Sequence, residues 1–138
     1  MPLVRKATPE DAIAINRVSA HLGYSAVPDS VVEETLRSMT ASQTDRVYVA
    51  EDAGRVVGWI HSFSAQRLAS PPFEEIGGLV VDPAFRGRGV GRSLVDHVQA
   101  NCAGTVRVRC NETRTETHRF YASLGFDARK TQRIFERD

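Results

Sequence analysis

Glu74-Glu75-Ile76-Gly77-Gly78-Leu79-Val80-Val81-Asp82-Pro83 leads almost directly into Arg86-Gly87-Arg88-Gly89-Val90-Gly91. The first segment reads as a strand with glycines in it, stopped by Pro83. After the second, Val90, Leu94, Val98 and Cys102 recur every four residues with Val95 beside them, which predicts an amphipathic helix ended by Gly104. A strand, a Gly-rich basic loop and a helix therefore follow one another without a break.

Such a unit has a chemical consequence. The N–H groups of a first helical turn lack intrahelical partners. Together with the helix dipole they form an anion site suited to phosphates. Glycines 87, 89 and 91 let the backbone come close to a ligand, and Arg86, Arg88 and Arg92 add positive charge. The loop is neither a P-loop, since Gly-x-x-x-x-Gly-Lys-Ser/Thr is absent, nor a dinucleotide fingerprint, since Gly87-Arg88-Gly89-Val90-Gly91-Arg92 has no sixth-place glycine.

Upstream, Leu3–Lys6 is a short strand candidate. Thr8-Pro9-Glu10-Asp11 starts a helix: Thr8 caps, Pro9 suits the first position, and the acids favour the positive dipole end. Ile13, Val18 and Leu22 form part of its apolar face and Gly23 ends it. Pro28 to Ser38 predicts a second helix, with capping-box spacing at Ser30 and Glu33 and one face at Val32, Leu36 and Met39. Val47–Ala50, a turn at Asp52–Arg55 and Val56–Ile60 predict a hairpin, and Ser70-Pro71-Pro72 breaks the pattern after it. Downstream, Val106–Cys110 alternates as a half-buried strand. Thr113 and Glu116 have capping-box spacing before a helix bearing Phe120, Tyr121 and Leu124 and stopping at Gly125. Phe126 onward, ending in Arg133-Ile134-Phe135, predicts one or two closing strands.

The order β-α-α-β-β-β-α-β-α-β is mixed α/β, with a sheet antiparallel at the hairpin and parallel across the 90–103 crossover. No repeat or linker interrupts residues 1–138, so one domain is expected. Of the 138 residues 41% are apolar and 25% charged, with a net charge of +1, so nothing recommends nucleic acid or a membrane as partner. Cys102 and Cys110 lack metal or redox spacing, and His21, His61, His97 and His118 are scattered, so no metal is expected. The first eight residues lack a secretory apolar run, and a cytoplasmic location is the simplest expectation.

Arg86-Gly87-Arg88-Gly89-Val90-Gly91 resembles the Arg/Gln-x-x-Gly-x-Gly/Ala pyrophosphate loop of the GNAT N-acetyltransferases. Glu75–Pro83 resembles the family's central strand before that loop. Asn111 and Phe120-Tyr121-Ala122-Ser123-Leu124-Gly125-Phe126 resemble its second cofactor-contacting segment, and Arg5–Asp11 looks like its usual start. The resemblance runs along nearly the whole chain and is specific over residues 74–126. It implies the GNAT fold, a mostly antiparallel central sheet flanked by helices, and acetyl-CoA as cofactor. It further implies that residues 86–91, with Arg92 beside them, cradle the pyrophosphate, that main-chain atoms of Leu79, Val80 and Val81 pair with the pantetheine arm, and that Asn111 contacts that arm.

Acetyl transfer to an amine needs a proton acceptor, an oxyanion donor and a proton for the departing thiolate. Glu75 in Glu-Ile-x-x-Leu resembles the family's base position, with a surface charge or an ammonium anchor as the alternative. Strict alternation puts Glu75, Gly77, Leu79 and Val81 on one face and Glu74 on the other, unless a bulge intervenes. A backbone N–H near Val81 is the expected oxyanion donor, and Tyr121 the expected acid for the thiolate, with a core tyrosine as its alternative. Tyr24, in the joint between the first two helices, is a candidate acceptor contact or a packing residue; Trp59 is expected in the core.

The acceptor expected is a small-molecule primary amine, with a protein lysine or N-terminal amine as alternative. A non-catalytic acyl-CoA-binding or regulatory domain would keep the loop and use neither Glu75 nor Tyr121. A nucleotide-binding module is opposed by the missing fingerprints. The segment Lys130–Phe135 is a candidate edge strand for a homodimer.

Overall fold

The computed structural model describes residues 2–20 and 27–138. The elements are β1 (Leu3–Lys6), α1 (Ala12–Ala20), α2 (Asp29–Ala41), β2 (Asp45–Asp52), β3 (Arg55–Arg67), β4 (Ser70–Val81), α3 (Val90–Ala100), β5 (Val106–Val108) and α4 (Thr115–Ser123). The strands form one sheet in the order β1-β2-β3-β4-β5, antiparallel except for the parallel pair β4–β5. The chain falls into two compact units, Met1–Val108 and Arg109–Asp138. No helix among the described residues is long and apolar enough to cross a membrane.

The hairpin β2–β3 turns at Ala53 and Gly54, both at positive φ, as a two-residue turn between twisted strands requires. One register shift lies near Ala50/Glu51 and another, between β3 and β4, at His61/Ser62, where Ser62 pairs with Ile76 but His61 with Gly78. The second is a bulge at Gly77. It splits β4: Glu74 and Ile76 lie opposite Ser64 and Ser62, whereas Glu75 lies opposite Phe63 and Gly78 opposite His61. Glu75 thus shares a face with Gly78 and Val80, and Leu79 and Val81 lie on the other. This corrects strict alternation, because one extra residue reverses every side chain beyond it.

The two faces carry different helices. On one, α3 lies so close that a Cβ on Gly58 would sit 3.2 Å from Val90 Cγ1 and 3.3 Å from Leu94 Cδ1. Val90, Leu94, Val95 and Val98 are buried there, as their spacing predicts. On the other, α1 and α2 pack Ala12, Ile15, Leu36, Val32 and Met39 against Val47, Val49 and Trp59, and the Trp59 indole donates to Ser19 Oγ at 2.9 Å. The start of α1 is held by Asp11, which accepts from Thr8 N–H and, bidentately, from Arg5.

Several local expectations are overturned. Ile13 is exposed, and Ala12 and Ile15 face the sheet in its place, because a 3₁₀ turn at Pro9–Asp11 sets the phase of α1. Neither capping box forms: Pro28 and Arg114 stand at the N-caps, Glu33 bonds Arg37, and Thr113 bonds Asn111. Ser70-Pro71-Pro72 opens β4 instead of breaking the sheet, since β5 pairs only with Glu74–Ile76 and leaves that end of β4 an edge. The strand expected over Val106–Cys110 stops at Val108. No closing strand forms over residues 126–138: the segment offers few apolar residues, and Ile134 and Phe135 are 83% and 88% exposed, so no burial offsets the cost of ordering it.

Candidate functional site

Beyond Ile76 the outer edge of β4 has no strand beside it among the described residues. Main-chain groups of Leu79, Val80 and Val81 lie on this stretch. Asp82 then caps the turn Pro83–Phe85, its carboxylate accepting from Ala84 N–H at 2.9 Å and its carbonyl from Phe85 N–H at 2.8 Å. Asp82 is buried, with Arg55 3.7 Å away.

The loop turns on Gly87 and Gly89, at φ +76° and +81°, and a Cβ on either would meet nothing within 4 Å. These glycines are thus needed for backbone direction, with open space above them. Gly89 is the N-cap of α3, and its carbonyl accepts from Ser93 N–H at 2.9 Å. The first-turn amides of Val90, Gly91 and Arg92 have no intrahelical acceptor. Arg86, Arg88 and Arg92 are exposed around them, Arg88 lying 5.1 Å over the Phe85 ring. The arrangement is an open anion cradle at the end of a strand whose edge is unoccupied by another strand.

Glu75 is half-buried near the middle of β4, on the α1/α2 face. Asn111 and Tyr121 belong to the second unit. Asn111 is exposed; its Oδ1 accepts from Thr113, and its carbonyl meets His118 Nε2 at 2.9 Å. Tyr121 is buried, edge-to-face with Phe120 at 5.0 Å and Phe126 at 5.4 Å. Tyr24 lies outside the described residues, as does His21. Burial pushes the Cys102 and Cys110 thiols up, away from a nucleophilic thiolate.

Two groupings escaped the reading of the sequence. Glu74, 3% exposed, accepts from Ser62 Oγ (2.7 Å), Ser64 Oγ (3.2 Å) and Arg46 Nη1 (3.0 and 3.1 Å). On the same face Tyr48, its pKa raised by burial, stacks edge-on against His97 of α3 at 4.4 Å. On the opposite face His61 Nε2 meets Asp45 Oδ1 at 2.8 Å, and that bond holds the Asp45 carboxyl below its usual value. The pairing depends on the shift near Ala50: continued unshifted from Asp52–Arg55, the hairpin would set Asp45 against Ser62, whereas the observed register sets it against Phe63. Only a known bulge position would have revealed it.

The family model "Acetyltransferase (GNAT) domain" matches residues 43–128. An aminoglycoside N(6')-acetyltransferase type 1 of Stenotrophomonas maltophilia is 29% identical, over 96% of this chain and 90% of that protein. A mycothiol acetyltransferase of Thermobispora bispora is 34% identical over 57% of this chain and 29% of its own length. The chain thus spans less than a third of the mycothiol acetyltransferases it matches. A putative acetyltransferase from Agrobacterium tumefaciens superposes with a TM-score of 0.83 at 25% identity, covering 98% of this chain and 99% of that one. AAC(6')-Iy, solved with a bisubstrate analogue of CoA, superposes at 0.85 with 17% identity, over 100% and 99% of the two chains.

Proposed function

This chain belongs to the GNAT acetyltransferase family, and from that premise we propose that it is an acetyl-CoA-dependent N-acetyltransferase whose acceptor is a small-molecule primary amine. The observation that carries the reading is the cradle at the head of α3: two glycines at positive φ, open space above them, and three exposed arginines around them. A diphosphate fits it through charge-assisted N–H bonds. The relatives named for aminoglycoside and mycothiol acetylation support a small amine as acceptor.

In this reading amides of residues 86–91 and the Arg92 side chain hold the pyrophosphate of acetyl-CoA. Main-chain groups of Leu79, Val80 and Val81 hold the pantetheine arm along the open edge of β4, with Asn111 as a further contact. The thioester supplies the activated acetyl group. Glu75 takes the proton that the amine loses as its nitrogen bonds the carbonyl carbon. The amide near Val81 donates to the carbonyl oxygen, and Tyr121 gives its proton to the sulfur as the C–S bond breaks. Holding both reactants in one place supplies several kcal/mol of the barrier. A cytoplasmic location and a homodimer complete the reading, the latter checked by solution mass.

The test is release of CoA thiol from acetyl-CoA across a panel of amines. Amine-dependent release is expected; binding of CoA with no release for any amine would favour a non-catalytic acyl-CoA-binding domain.

A further inference from the structure

A cavity of about 480 Å³ lies between α1, α2 and the sheet, on the face that carries Glu75. Its walls are mostly apolar: Val27, Val31, Val32, Leu36, Met39 and Trp59 contribute. Among the described residues the lining contains no carboxylate, lysine or arginine. The donors that α1 adds are already engaged. Asn16 Nδ2 donates to Val27 O and Asp29 Oδ1, both at 2.7 Å, and Ser19 Oγ accepts from Trp59 and donates to Ile15 O.

His61 forms the polar end of the cavity on the sheet side. His61 Nε2 faces Asp45 Oδ1 at 2.8 Å, and with Nε2–H donating to that carboxylate, Nδ1 is the ring atom left to accept a hydrogen bond. Nδ1 has no hydrogen-bond partner among the described residues. It lies over the β4 bulge: a Cβ on Gly77 would stand 3.0 Å from it, and a Cβ on Gly78 would stand 2.9 Å from the Trp59 ring. The two glycines therefore make room for rings that lean from β3 across β4, toward the strand edge where the acetyl group would lie.

We propose that this cavity binds a monoamine with an apolar body, its amino group donating to His61 Nδ1 and its hydrocarbon lying among Val31, Val32, Leu36 and Met39. The assignment rests on the acetyltransferase reading for its meaning, and names the acceptor class for it. A polycationic amine would have to strip water from several ammonium groups against valine, leucine and methionine, with no carboxylate among the described lining residues to receive them. An apolar chain gains from the same walls about 0.8 kcal/mol per buried methylene, which is about 4-fold in affinity.

The chain has one tryptophan, Trp59, and it lines the cavity, so binding is readable without turnover. The experiment titrates the intact protein with propylamine, hexylamine, hexanol and kanamycin while following Trp59 emission. Affinity is expected to rise about 4-fold per methylene from propylamine to hexylamine, and hexylamine to exceed hexanol by about 10-fold. Kanamycin is expected to bind more weakly than hexylamine. Val31→Asn, at a residue 46% exposed and so tolerant of change, is expected to weaken hexylamine about 10-fold without loss of the folded signal. His61→Phe is expected to remove the preference for amine over alcohol. Tighter binding of kanamycin, no dependence on chain length, or unchanged affinities in both variants would overturn the assignment. A parallel titration with CoA separates the two claims: CoA binding with no hexylamine binding defeats this inference alone, and the reverse defeats the acetyltransferase reading alone.

Discussion

Glu74 and Glu75 are neighbours in sequence and opposites in circumstance. Glu74 faces α3, buried and surrounded by two hydroxyls and a guanidinium. Glu75 faces α1 and α2, half-buried, opposite Phe63 and one pair along from His61. The first carboxylate has spent its lone pairs on the fold. The second stands on the face that holds a cavity and an Asp–His pair. The comparison teaches that a carboxylate's role here is set by the strand's phase, and that the phase is set by a single bulge at Gly77.

The largest effect should come from breaking the buried side. Glu74→Ala leaves Arg46 without its carboxylate and two hydroxyls without an acceptor. It is expected to cost about 3–5 kcal/mol of stability, measured by urea unfolding; a loss below about 1 kcal/mol would remove the contrast. Glu75→Gln should act mainly on chemistry, lowering turnover about 10²-fold or more with a smaller loss of stability than Glu74→Ala. Equal effects of the two substitutions on stability would show that the faces do not differ as described. Tyr121→Phe sharpens the same point in the second unit: CoA affinity is expected to be kept and turnover to fall about 10²-fold or more. Unchanged turnover across pH would remove Tyr121 from the chemistry and leave it a buried packing residue.

The smallest effect concerns acid. Burial alone would raise the Asp11 pKa, but the bonds from Arg5 and from Thr8 N–H outweigh it and hold the group below its usual 3.8. A depressed carboxyl pKa stabilises the fold fully above the unfolded value, and the contribution fades as pH falls toward the folded one. Stability should therefore decline below about pH 4, and Asp11→Asn should flatten that part of the profile in thermal melts. A decline identical in both proteins would assign acid sensitivity to other carboxylates, Asp45 among them.

Much of this architecture was legible. Val90, Leu94 and Val98 announce α3 by period, Pro83 ends β4, and Gly54 marks the hairpin, because each signal is local. The glycine turn ahead of α3 was legible for the same reason: positive φ at Gly87 and Gly89 is a property of those residues. What stayed hidden depends on register. The shifts near Ala50 and at Gly77 decide that Asp45 meets His61 and that Glu74, not Glu75, is buried against Arg46. A bulge leaves only a glycine as its trace, and glycines occur for other reasons. The missing closing strand has a similar origin: Ile134 and Phe135 look like strand residues, but their pattern alone supplies no partner.

The central claim is that the head of α3 grips a diphosphate. Isothermal titration of the folded protein with CoA tests it directly, beside Gly89→Val, which places a β-branched residue at φ +81°. Saturable one-to-one binding is expected for the native chain, weakened at least about 10-fold in the variant. No heat of binding from well-folded native protein, or equal affinity in both, would contradict it.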